Sequence, residues 1–147
     1  MSSADAGENL DADLDSGPRV RGLGSLVLYS ARVEACAAFY RALGLPLEPE
    51  RHGDGPLHFA ASVGGAHVAV FEATVDRPAC PAAPKGADTC SFAGFTVSSV
   101  EACVAAARAL GAPVLEEPVR RSWGVRAILE DPDGRPVEVF ARPVADG

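Results

Sequence analysis

Val33-Glu34-Ala35-Cys36 returns as Val100-Glu101-Ala102-Cys103, and Arg41-Ala42-Leu43-Gly44 returns as Arg108-Ala109-Leu110-Gly111. Both pairs keep one spacing of 67 residues, as do Pro46 and Pro113. Two matched tetrapeptides in one register indicate two copies of one supersecondary unit, packed as a pseudo-symmetric pair. Such a pair makes a cleft between its copies. Equivalent positions in the two copies can then be compared for chemistry.

The first copy spells out the unit. Residues 26–29 are an apolar run after Gly22 and Gly24, which predicts a strand. Apolar residues at 33, 36, 39, 40 and 43 follow helical spacing over 31–43, and Gly44 with Pro46 beyond it marks the stop. Residues 45–50 read as a strand. The turn His52-Gly53-Asp54-Gly55-Pro56 leads to strands over 57–63 and 66–71, joined by Gly64-Gly65 as a hairpin. The second copy repeats the order: a strand over 91–97, a helix over 100–110 and a strand over 113–117. Its last strands, 125–130 and 137–140, are joined by Asp131-Pro132-Asp133-Gly134, which is read as a turn and nothing more. Each unit is therefore β-α-β-β-β.

Module one takes residues 23–72 and module two 90–143, with a Pro-rich linker over 73–89. Residues 1–22 read as a disordered acidic tail. Within the chain's net charge of −7, that tail contributes −3. The acidic balance argues against general binding to nucleic acid or to an anionic membrane. No secretory signal or spanning segment is legible, so the cytoplasm is the expected location. Cys36 and Cys103, at equivalent helix positions, are expected to be small buried residues facing the sheet. Cys80 and Cys90 flank the Pro-rich segment without metal-type spacing.

Alternation assigns faces. Leu26 and Leu28 are expected under the first helix, with Ser25, Val27 and Tyr29 on the concave side. Phe92, Gly94 and Thr96 take the same side in module two. His67, Ala69 and Phe71 match Pro136, Glu138 and Phe140. If Phe59 faces the helix, His58 points into the cleft. His52, in a turn, is expected to be simply exposed.

Several of these residues carry a resemblance. Phe39-Tyr40 before Leu43-Gly44, then Trp123-Gly124-Val125-Arg126, then Asp131 to Glu138, together with the paired units, resemble the vicinal oxygen chelate superfamily. That group includes glyoxalase I, the bleomycin-resistance proteins and the extradiol dioxygenases. The resemblance implies an α+β fold in which the two modules form a cupped, eight-stranded mixed sheet, often in a homodimer. It also implies a divalent metal held at four pseudo-symmetric positions, here Ser25, Ala69, Phe92 and Glu138. Only Glu138 is a normal ligand for such an ion. His58 and His67 are candidate substitutes beside it. A pairing of Glu138 with Arg126 is the competing expectation.

Two functions follow. The first is a metal-independent binding protein, with no cofactor, that sequesters an aromatic or cationic antibiotic or metabolite. Its cleft would be lined by Val27, Tyr29, Phe71, Phe92, Trp123 and Phe140. Glu138, Arg126, His58 and His67 would give polar direction. The alternative is a metal-dependent lyase, isomerase or dioxygenase with a degenerate or relocated site. No catalytic residue is assigned.

Overall fold

The computed structural model describes residues 17–79 and 91–144. The sequence expectations for residues 1–16, for the linker from 80 to 90, and for Cys80 and Cys90 lie outside the described residues.

Each copy of the repeat builds the expected unit. Module one contains β1 (Ser25–Ser30), α1 (Val33–Ala42), β2 (Glu48–Glu50), β3 (His58–Val63) and β4 (Ala66–Glu72). Module two contains β5 (Ala93–Thr96), α2 (Val100–Ala109), β6 (Val114–Arg121), β7 (Gly124–Glu130) and β8 (Pro136–Ala141). The eight strands form two four-stranded mixed sheets of identical order, β1-β4-β3-β2 and β5-β8-β7-β6. In each, the first strand runs parallel to the last and the other pairings are antiparallel.

The helices form because one stripe of each is apolar at helical spacing. Val100, Cys103, Val104 and Ala107 are buried on α2, and Cys36, Ala37, Phe39 and Tyr40 on α1. Both helices stop in the same way. Gly44 and Gly111 take positive φ (98° and 77°). Leu45 N and Ala112 N then reach back to the carbonyls of Tyr40 and Ala107. That is a Schellman closure at equivalent positions. Replacing either glycine by Ala meets no steric obstacle within 4 Å. The cost is therefore conformational, about 1–2 kcal/mol at each site. Urea unfolding of G44A and G111A should show equal midpoint losses at unchanged slope.

Beneath α1 lie Leu28, Phe59, Val68 and Val70, and module two contributes Val125, Ala127, Leu129, Val137 and Val139 to one continuous core. Alternation holds, with Phe59 on the helix side and its neighbour His58 on the other. The clearest departure is β6. The sequence reading placed a strand over 113–117, yet β6 runs from Val114 through Pro118 to Arg121. Register shifts on both sides of Glu116 absorb the proline, whose missing N–H the ladder does not need at a bulge.

The turn after β7 does more than reverse the chain. Asp131 is buried and accepts from Tyr40 Oη at 2.8 Å, a hydrogen bond from module one. Asp133 accepts from the N–H of Ala31 at 2.9 Å. Arg135 bridges Asp131 (2.9 Å) and Asp133 (3.1 Å), and it donates to the Tyr29 carbonyl. A turn was expected here and a turn is present, but its side chains fasten the two modules together.

Candidate functional site

The side of each sheet away from its helix carries the chemistry. In module one, Tyr29 on β1 lies beside Phe71 on β4, with ring centroids 5.9 Å apart. Phe71 stacks on His58 of β3 at 4.1 Å and 12°. The Arg77 guanidinium sits 5.9 Å above the Tyr29 ring. In module two, Trp123 packs 5.7 Å from Phe140 and remains half-exposed in the β6–β7 turn. Phe71 and Phe140 thus hold matching strand positions, but their ring partners differ, Tyr29 on β1 in one module and Trp123 in a turn in the other.

The polar groups show how the copies have diverged. Pairing of Ala60 with Ala69 and of Ile128 with Glu138 makes His58 and Arg126 equivalent. Arg126 donates through Nε to Glu138 at 2.6 Å, with Glu116 at 3.5 Å. The bond to Glu138 holds the guanidinium above its ordinary pKa. His58 instead faces Glu50, which lies directly across on β2, at 2.9 Å from Nε2. Its Nδ1 donates to the Pro56 carbonyl at 3.1 Å. That hydrogen bond from His58, followed by the nearby charge of His52 and His67, holds the Glu50 carboxyl below its usual range.

Two residues of this cluster were missed by sequence reasoning. Glu50 was placed on a strand and given no role. His52 was expected to be simply exposed, yet its Nε2 lies 3.2 Å from Glu50 and its ring sits 5.3 Å from His58. His67 approaches the same oxygen at 3.8 Å. The available signal was composition: the chain has three histidines, and all three surround one carboxylate.

The four positions that would hold a divalent ion by resemblance do not suit one. Ala69 is buried without a donor atom, and Phe92 offers only a ring. Ser25 offers only a hydroxyl, a poor ligand for a divalent transition metal. Glu138 itself is taken by the Arg126 cation. A second group, Cys36 with Asp131 and Asp133, is close enough in space to hold an ion. Its carboxylates are already committed to Arg135 and Tyr40. Burial, with Asp131 adding, pushes the Cys36 thiol up to about 12. It remains a neutral packing residue.

A cavity of about 880 Å³ opens along β1 and β5, where the two modules meet. Among the expected cleft residues it takes in Val27, Tyr29 and Phe92, and it adds Leu23, Leu26 and Phe95. His58, His67, Phe71, Trp123, Arg126, Glu138 and Phe140 stand outside its lining. Arg135 is the one charged residue among the described lining residues, and its guanidinium is engaged by the module-fastening turn. Burial and the adjacent Asp131 raise the Tyr40 hydroxyl far above its ordinary pKa, so it is not a base.

Comparison with known proteins gives a consistent frame. The model of the Glyoxalase/Bleomycin resistance protein/Dioxygenase superfamily matches residues 22–139. No protein among those with curated descriptions matches the chain. Among solved structures, a glyoxalase/bleomycin resistance protein from Albidiferax ferrireducens is 24% identical. It aligns over 82% of this chain and 98% of its own, with a TM-score of 0.62. An antibiotic binding protein from a Streptomyces species is 17% identical, over 86% and 100%, with a TM-score of 0.59. A fosfomycin resistance protein from Listeria monocytogenes is 16% identical, over 86% and 97%, with a TM-score of 0.61. No helix among the described residues is long and apolar enough to cross a membrane.

Proposed function

We propose, since the chain belongs to the Glyoxalase/Bleomycin resistance protein/Dioxygenase superfamily, that it binds a small aromatic molecule in the cavity between its modules, with no metal at the four family positions. The supporting observation is the cavity. Its volume of about 880 Å³ falls within the range of small-molecule sites. Phe92 and Val27 reach it with 49% and 43% of their surfaces exposed, which leaves apolar area for a ligand to cover.

The lining favours binding over turnover. Its charged group is spent on structure, and its buried tyrosine is held neutral. Such a wall offers shape, apolar area and ring faces to a planar guest. Among its described lining residues there is no carboxylate to meet a cation, so of the two ligand classes expected from sequence the aromatic one fits. Sequestration needs affinity and abundance only. One structural neighbour is described as an antibiotic binding protein and another as a fosfomycin resistance protein, so the fold has hosted such roles. The fold itself does not dictate them. The enzymatic alternative at the family positions is disfavoured by the Arg126–Glu138 pair.

A thermal-shift titration against planar aromatic antibiotics, with chelator present throughout, tests this reading. At least one compound should raise Tm with the logarithm of its concentration over Kd. F92A should weaken that binding about tenfold, the worth of one good aromatic contact. A panel without any shift, or a shift that the chelator abolishes, would overturn the proposal.

A further inference from the structure

We propose that Glu50, His52, His58 and His67 form a site for one divalent first-row transition-metal ion such as Zn2+, Co2+ or Ni2+. It lies on the outer half of module one and shares no residue with the four family positions. The observation is convergence. All three histidines turn Nε2 toward the same Glu50 oxygen, at 3.2 Å for His52, 2.9 Å for His58 and 3.8 Å for His67. They come from a turn, β3 and β4 respectively. The donor atoms of Glu50, His52 and His58 lie within 4.8 Å of one another.

The distances suit an ion. With metal–ligand bonds of about 2.1 Å, neighbouring donors in a tetrahedron stand about 3.4 Å apart. The three separations bracket that value. They also crowd three ring nitrogens onto one oxygen that has two lone pairs. An ion among Glu50, His52 and His58 would turn this competition into separate bonds, and the exposed His67 side chain would swing in to complete the set. Imidazole and carboxylate together select zinc and its first-row neighbours over magnesium or calcium.

The second layer is already arranged. The Nδ1–H of His58 is held by the Pro56 carbonyl, so Nε2 is the nitrogen that would ligate, its proton displaced by the ion. Its ring is clamped against Phe71, and the residue is 2% exposed. The Gly55 N–H bonds back to the His52 carbonyl at 2.9 Å, closing the turn that brings His52 over β2 and β3. His52 and His67 side chains are 73% and 43% exposed, so the cluster is open to solvent on one side and an ion can enter.

Titration of the full chain with Co2+ alone, after chelator treatment and dialysis, tests the site. The expected result is one Co2+ per chain. Its visible spectrum should be that of nitrogen and oxygen ligands, without the thiolate charge-transfer band a cysteine would add. E50Q and H52A should each weaken binding by about 100-fold, at least the loss seen when outer-layer partners are removed. These two variants decide the question because neither side chain is buried in the core, whereas loss of His58 also opens a packed position. Absence of stoichiometric binding overturns the assignment. So does a Co2+ affinity unchanged in E50Q and H52A, or a thiolate band. The probe is the metal alone, so failure here is separate from failure of ligand binding in the cavity, which is measured with chelator present.

Discussion

Asp131→Ala is expected to lower the unfolding free energy by about 3–5 kcal/mol, the cost of removing one partner from a buried ion pair. Its carboxylate is fully buried and accepts four hydrogen bonds. The donors are Tyr40 Oη, the N–H groups of Asp133 and Arg135, and Arg135 Nη1. After truncation the Tyr40 hydroxyl and two backbone N–H groups lose their acceptor inside the protein. Asp133 and the Tyr29 carbonyl still hold Arg135, which keeps the loss from being larger. Guanidinium unfolding of D131A, Y40F and the double variant measures the effect and the coupling between modules. A loss below about 1 kcal/mol in D131A would mean that the turn is only local.

Gly124→Ala should be nearly as damaging, on the order of 2–4 kcal/mol, because strain and overpacking add. Gly124 opens β7 at φ 144°. A Cβ there would stand 2.4 Å from the Ala141 carbonyl oxygen and 2.6 Å from the Phe140 ring. Backbone cannot yield as a flexible side chain can, so β8 must shift or Phe140 must rotate. Phe140 packs against Trp123, so the variant should also change tryptophan fluorescence in the folded state. G124A with wild-type stability and unchanged emission would show that the close approach is not required.

The repeat, the helix stops and the alternation were legible because each is a local rule. Positive φ after a helix asks for glycine, and Gly44 and Gly111 are where the spacing puts them. The choice between a metal ligand and an arginine partner for Glu138 was open in the sequence. It turned on which side chain of β7 stands beside β8, a matter of register. The histidine cluster was illegible for a similar reason. Glu50 and His58 are eight residues apart across a turn, and their meeting depends on the β2–β3 register. A cleft between the modules was expected, and sequence alternation collected its candidate lining from whole sheet faces. The cavity follows the β1 and β5 edges and so selects only Val27, Tyr29 and Phe92 from that set. The inter-module role of Asp131 was hidden because the turn motif already accounts for the residue types.

The fastening turn also sets an order of assembly. Its contacts join residues 91, 102 and 106 positions apart in the chain. Closing such loops costs entropy before any contact repays it, so these bonds form late. On a ribosome, where the N-terminal part emerges first, α1 and β1 must wait for nearly the whole of module two before Tyr40, Ala31 and Tyr29 gain their partners. The half of the protein that is made first therefore cannot be finished until nearly all of the second half has been made.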